Sequence, residues 1–226
     1  MRNRVLNAYD WFLIAGIIVS NIVYSILSKN LDIIGTITAV SGVVCVVLVA
    51  KGNIWNYLFG LINVSLYAYV SFKATAYGDA ALNALYYLPM QFIGYFAWRM
   101  RVDSETVKAR RLTGYQRLWV ALGCVVLIIA LGFILQRFGD GQPFKDSTTT
   151  ILSVVAQALM ALAFMEQWVL WILTNVVSVV MWVKFMAQGE AHAGVMVIMW
   201  AFYLMNSING LRVWLKLSRE DSPKAE

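Results

Sequence analysis

The chain reads as an all-α integral membrane protein with eight transmembrane helices, and three observations predict this. It is 61% hydrophobic and only 13% charged, roughly half the charge of a soluble domain. Apolar runs long enough to cross a bilayer, which takes about 20 residues, recur along its 226 residues. The Lys and Arg residues gather in alternate gaps between those runs, as they do when one side of a membrane faces the cytoplasm.

The eight spans fall at about 11–27, 33–50, 54–72, 80–98, 118–135, 149–164, 167–185 and 194–215. An even number puts both termini on one side. Placing the N-terminus inside leaves 13 of the 18 basic residues in the cytoplasm, with Lys29, Lys73, Arg137, Lys145 and Lys184 outside. Cytoplasmic termini follow from that asymmetry. The same asymmetry accounts for the net charge of +6, so nucleic acid is not an expected partner; the lipid bilayer is. The first run follows Arg2 and Arg4 like a signal sequence, but it is long and lacks a small-residue cleavage pattern, which predicts a retained helix.

Sliding the chain by 112 positions lays Thr36 on Thr148, Ser41 on Ser153, Leu58 on Leu170 and Asn63 on Asn175. After a short slip, Met90 falls on Met205 and Gln91 on Asn206. The matches suggest a duplicated three-helix unit. Spans two to four and six to eight form the two units. Span five between them makes both enter from the same side, so the repeats are parallel. The predicted architecture is 1+3+1+3. Its segments are an extra N-terminal helix (1–30), a first repeat (31–101), a basic loop with a linker helix (102–140), a second repeat (141–217) and a tail (218–226).

Asn63, Gln91, Asn175 and Asn206 lie near the centres of spans three, four, seven and eight. Hydrocarbon offers an amide no hydrogen bonds, so each must face inward. Interhelical bonding alone would explain one such amide. Four at one depth, two from each repeat, point to a ligand site at the midplane between the repeats. Trp171, Asn175, Ser178 and Trp182 recur at i, i+4, i+7 and i+11 along one helical face. Aromatic faces beside amides suit a flat, polar, cationic ring. Trp55, Trp98, Trp119, Trp168 and Trp214 sit at the inner ends of their spans and read as an interfacial belt. Pro89 beside Gln91 predicts a kink or a gating hinge.

Other chemistries find little support. Cys45 and Cys124 lie in apolar runs away from any metal-ligand cluster, and no cofactor is expected. No span carries a central acid; Asp10, Asp32, Asp79, Asp146, Glu166 and Glu190 fall at ends or in loops. Proton or sodium coupling commonly uses such acids, so passive facilitation is favoured. No phosphate-binding loop is present to harness ATP. His192, the only histidine, lies in an outer loop. An intramembrane enzyme would need an activated nucleophile or a metal, and Ser41, Ser153 and Ser178 have no buried His, Lys or acid beside them. The sequence leaves a homo-oligomer open.

The segments NYLFGLINVSLY at 56–67, KDSTTTILSVVAQALM at 145–160, QWVLWILTNVVSVV at 167–180 and NGLRVW at 209–214 closely resemble the PnuC family of bacterial nicotinamide riboside transporters. The resemblance implies a fold like that of full-length SWEET sugar transporters. It implies an inner-membrane facilitator whose substrate is phosphorylated in the cytoplasm for NAD synthesis. Its WxxW followed by Asn is present as Trp168, Trp171 and Asn175, and its amide in span four or eight corresponds to Gln91 or Asn206. The expected substrate contacts are Gln91, Asn175, Asn206, Asn63 and Asn209 as orienting amides, with Trp171, Tyr86 and Trp182 packing on the ring. With no intramembrane Arg or Lys to receive a phosphate, the nucleotide should be excluded. Related members carry thiamine or riboflavin, and a sugar facilitator on the same fold is the remaining alternative.

Overall fold

The structure, a computed structural model, describes residues 6–28, 33–73, 77–103, 106–139, 141–188 and 193–220. Asn7 and Asp10 start the first helix. The Asn7 N–H donates to Asp10 Oδ2 at 2.7 Å, and the Asp10 N–H donates to Asn7 Oδ1 at 3.0 Å. Such reciprocal capping satisfies two donors that a helix start leaves free. From there α1 (Ala8–Ser28) precedes α2 (Ile33–Ala50) and α3 (Asn56–Lys73). The fourth span is one rod in three parts: α4 (Tyr77–Leu82), a π-helical turn (Asn83–Tyr87) and α5 (Leu88–Arg99). The expected kink is therefore a wider turn placed just before Pro89, where a missing N–H disturbs the α-helical ladder.

A two-stranded hairpin, β1 (Val102–Asp103) against β2 (Thr106–Val107), and an extended segment lead to α6 (Gly114–Arg137). Thr113 and Gln116 cap α6 reciprocally. Then come α7 (Pro143–Ala161), α8 (Gln167–Ala187) and α9 (Ala193–Glu220). Helices stand at all eight expected positions, and α7 begins at Pro143 rather than near 149 because proline is preorganised for a first helical turn. Of these helices, α2 and α6 are long and apolar enough to cross a membrane on composition alone.

The 1+3+1+3 order is visible in the packing. Within each three-helix unit the first helix packs on the second, and the second on the third: α2 on α3 and α3 on α5, α7 on α8 and α8 on α9. Between units, the third helix of each packs on the first of the other, α5 on α7 and α9 on α2. Buried indoles lock both crossings. Trp98 donates through Nε1 to Met160 O at 2.8 Å, and Trp214 donates to Val49 O at 2.9 Å.

These contacts set the register of the repeat. Gly52 (φ 65°) and Ala163 (φ 60°) are the left-handed residues of the two equivalent turns. Asn56 matches Gln167 and Tyr57 matches Trp168 at the following helix starts, and all four are buried. A Cβ on Gly94 would strike Tyr57, and one on Gly210 would strike Trp168. Continued along the helices, this register shifts the identity-based alignment by one residue. Asn63 then shares its place with Thr174, Asn175 with Val64, and Asn206 with Met90. The amides are not repeat partners of one another.

The largest core lies at the end of the bundle where the equivalent turns meet. It contains Val49, Tyr57, Trp98, Met160, Trp168 and Trp214 with Val107 and Ala109 of the connecting segment. Trp98 and Trp214 are fully buried with rings 5.7 Å apart, and Trp168 stands 6.3 Å from Trp214. The expectation of an interfacial belt fails for these three, because they face the junction of the repeats rather than lipid. Trp55 and Trp119 are exposed, as a belt requires.

The connecting segment ties the units together at this end. Val107 N–H donates to Gly52 O at 2.8 Å, Arg110 N–H to Ala163 O at 2.8 Å, and Met165 N–H to Arg110 O at 2.9 Å. Two acids at this end are paired. Asp10 is fully buried 2.6 Å from Lys51 Nζ, and Glu166 accepts from Arg117 at 2.9 Å and from the Leu112 N–H at 3.2 Å.

Candidate functional site

One face of α2 draws polar side chains from three other helices. Thr38, Gly42, Cys45 and Val46 recur at i, i+4, i+7 and i+8 and share that face. Asn63 of α3 donates through Nδ2 to Thr38 O at 2.8 Å. A Cβ on Gly42 would lie 2.7 Å from Asn63 Nδ2 and 3.4 Å from the Tyr203 hydroxyl of α9. The absent side chain is the room those two groups use. One turn further, Asn206 of α9 donates through Nδ2 to Val46 O at 3.1 Å.

Gln91 of α5 reaches the same level. Its Oε1 and Cys45 Sγ both crowd the position that a Cβ on Gly60 of α3 would take. Its Nε2 donates to Tyr87 O at 3.2 Å, which anchors the side chain on the π-helical turn. Asn175 of α8 joins through α9. Its Nδ2 donates to Ser207 Oγ at 2.7 Å, and Ser207 donates in turn to Tyr203 O at 2.8 Å.

Asn63, Asn175 and Asn206 each spend an N–H on a neighbouring helix, and Gln91 spends one on its own. What remains is polar capacity without a protein partner. Gln91 Oε1 and Asn206 Oδ1 are buried acceptors, and Asn209 Nδ2 and Trp200 Nε1 are buried donors; none of the four atoms has a hydrogen-bond partner among the described residues. A buried polar atom left unsatisfied costs about 1–3 kcal/mol. A ligand with a carboxamide and hydroxyls would satisfy both kinds. The Trp200 ring stands edge-on to Tyr203 at 5.7 Å, so α9 also carries an aromatic pair.

Among the sequence-predicted residues, Asn63, Gln91, Asn206 and, through Ser207, Asn175 are therefore brought to one region around α2. Asn209 follows on α9, three residues beyond Asn206. Tyr86 reaches α7: its hydroxyl donates to Val154 O at 2.7 Å, beside Tyr87, which donates to Ser153 Oγ at 2.8 Å. Trp171 is half-buried and packs against the tryptophan-rich core at the bundle end. The backbone of Trp182 continues α8, but its side chain lies outside the described residues, as does His192.

Sequence reasoning overlooked two participants and one further buried amide. Ser207 is hard to find because a serine in a membrane helix ordinarily bonds the carbonyl four residues back, which it also does here. Tyr203 is one of many aromatics in the apolar runs, and nothing in its spacing marks it. Gln157 of α7 is 5% exposed with Nε2 unpartnered. It carried the same signal as Gln91, an amide in the middle of an apolar run, but no counterpart in the repeat drew attention to it.

Comparison with known proteins agrees with this architecture. The family described as nicotinamide mononucleotide transporter matches residues 32–216. The nicotinamide riboside transporter PnuC of Neisseria mucosa is 41% identical over 196 residues, which cover 84% of this chain and 74% of that protein. The PnuC of Haemophilus influenzae is 39% identical over 187 residues, covering 80% and 78%. That of Escherichia coli K12 is 30% identical over 225 residues, covering 87% and 90%. The crystal structure of the vitamin B3 transporter PnuC matches with a TM-score of 0.79 at 36% identity, across 96% of this chain and 95% of that one.

Proposed function

The chain belongs to the PnuC family of membrane transporters, and from that premise we propose that it takes up nicotinamide riboside across the bacterial inner membrane by facilitated diffusion. The observation that carries the substrate assignment is the gathering of Asn63, Gln91, Asn175 and Asn206 around α2, with buried amide atoms of both kinds left over. Nicotinamide riboside presents a cationic pyridinium ring, a carboxamide that both donates and accepts, and ribose hydroxyls. The carboxamide suits Gln91 Oε1 and Asn209 Nδ2, the hydroxyls suit Asn206 Oδ1, and the ring suits the faces of Trp200, Tyr203, Trp171 or Tyr86.

The drive is inferred from chemistry. No Asp, Glu, Lys or Arg occurs near the middle of α2, α3, α5, α8 or α9, so no intramembrane acid is present to carry a proton. Uptake then runs down the substrate gradient and is sustained by phosphorylation in the cytoplasm. The phosphorylated product would meet no cation in the site and would stay inside. The charge distribution supports an orientation with both termini in the cytoplasm.

The test is uptake of labelled nicotinamide riboside by purified protein in sealed liposomes without an ion gradient. Excess unlabelled riboside should abolish it, while thiamine, riboflavin, glucose and nicotinamide mononucleotide should not. A requirement for a proton or sodium gradient would overturn the mechanism. Competition by thiamine, riboflavin or glucose instead of the riboside would overturn the substrate. Asn175→Leu should retain its helical fold and lose substrate affinity by about tenfold or more, a change of about 1.4 kcal/mol.

A further inference from the structure

An open groove of about 610 Å³ runs along the outer face of α9 near its C-terminal end, lined by Ile208, Leu211, Arg212, Leu215, Lys216 and Arg219. Helical spacing divides the lining into two stripes. Ile208, Leu211 and Leu215 form an apolar floor; Arg212, Lys216 and Arg219, at i, i+4 and i+7, form a cationic rim. None of the three cations takes part in an ion pair found among the described residues. Like charges at this spacing repel, so an anion between them would relieve the arrangement.

A fourth positive charge is fixed beside them. Arg111 of the connecting segment donates from Nε to Ser218 Oγ at 2.7 Å and from Nη2 to Leu215 O at 3.0 Å. The order of the stripes also matters. The apolar residues begin deeper in the span and the cations extend toward the helix end, which matches a molecule with a hydrocarbon portion inside the bilayer and a negative head at its surface. The positive-inside tendency explains cations at this end of the chain, but it does not explain their alignment along one concave, apolar strip.

We propose that this groove binds an anionic phospholipid, with the phosphate held by Arg212, Lys216 and Arg219 and the first methylenes lying over Ile208, Leu211 and Leu215. Basic pockets beside membrane helices bind such headgroups. Inorganic phosphate would match the rim and leave the apolar floor uncovered. A zwitterionic lipid would cover the floor and bring a competing cation to the rim.

The test follows thermal unfolding of the purified full-length protein in detergent with graded phosphatidylglycerol, phosphatidylcholine or inorganic phosphate. Phosphatidylglycerol should raise the midpoint saturably, and the other two should raise it far less. R212Q/K216Q/R219Q should abolish the difference between the two lipids while binding of nicotinamide riboside is unchanged; R212K/R219K should keep it. Native mass spectrometry of the unaltered protein in an equal lipid mixture should retain phosphatidylglycerol over phosphatidylcholine by about tenfold. Equal stabilisation by the two lipids, a preference that survives the triple variant, or phosphate acting as well as the lipid would overturn the proposal. If the triple variant does not fold, the mass spectrum decides, and equal retention of the two lipids there would also overturn it.

Discussion

At Gly60 an added methyl group would land on Gln91 Oε1, the far end of a flexible side chain, with Cys45 Sγ 3.2 Å away. The backbone there is ordinary helix, so Gly60→Ala should leave the thermal midpoint nearly unchanged or slightly higher, alanine being the better helix former. Displacing Gln91 should nevertheless weaken nicotinamide riboside binding by about tenfold. Calorimetric titration beside a melting curve separates the two effects, and full affinity in a well-folded variant would remove Gln91 from the site. Tyr86 offers the opposite contrast. Its hydroxyl is committed to Val154 O, so Tyr86→Phe should cost about 0.5–1.5 kcal/mol of stability and leave affinity within a small factor, whereas Tyr86→Ala should lose any stacking as well. At this scale the sequence revealed the amides well, because an amide in hydrocarbon must be explained by a partner. It revealed little about which atoms remain free, since that depends on what neighbouring carbonyls have already accepted.

Among the elements, the two equivalent turns give the sharpest contrast. Gly52 and Ala163 share a left-handed backbone, and a Cβ on Gly52 would meet Val107 Cγ1 at an ordinary 3.5 Å. Gly52→Ala should therefore fold and lose about 1–2 kcal/mol, the cost of a side chain at positive φ, as read from a denaturation midpoint. The pair Asp10 and Lys51 fastens α1 to the neighbouring turn. Lys51→Ala should cost about 3–5 kcal/mol by leaving a buried carboxylate unpaired, whereas replacing both by leucine should be far milder. The helices themselves were legible from apolar runs and charged gaps. The repeat register was off by one because Val, Leu and Ile interchange freely in a membrane helix, so identities there arise by chance. The features that fix the register, a left-handed turn filled by Gly in one unit and Ala in the other, share no residue type. Trp98, Trp168 and Trp214 were misread for a related reason: position along a span gives depth, and only packing gives the direction a side chain faces.

For the molecule as a whole, a cysteine-labelling experiment checks orientation. Single cysteines placed near residues 108 and 224, on a background lacking Cys45 and Cys124, should be shielded from an impermeant reagent in intact cells, and one near residue 140 should react. The symmetric crossings carry a further consequence. Trp98 and Trp214 donate to the carbonyls of Met160 and Val49, and the connecting segment bonds Gly52 O and Ala163 O. Every acceptor in that set is a peptide oxygen, which nearly any substitution leaves in place. The two halves can thus drift apart in spelling while their grip on each other stays anchored in atoms that mutation does not delete, and likeness of shape outlives likeness of sequence.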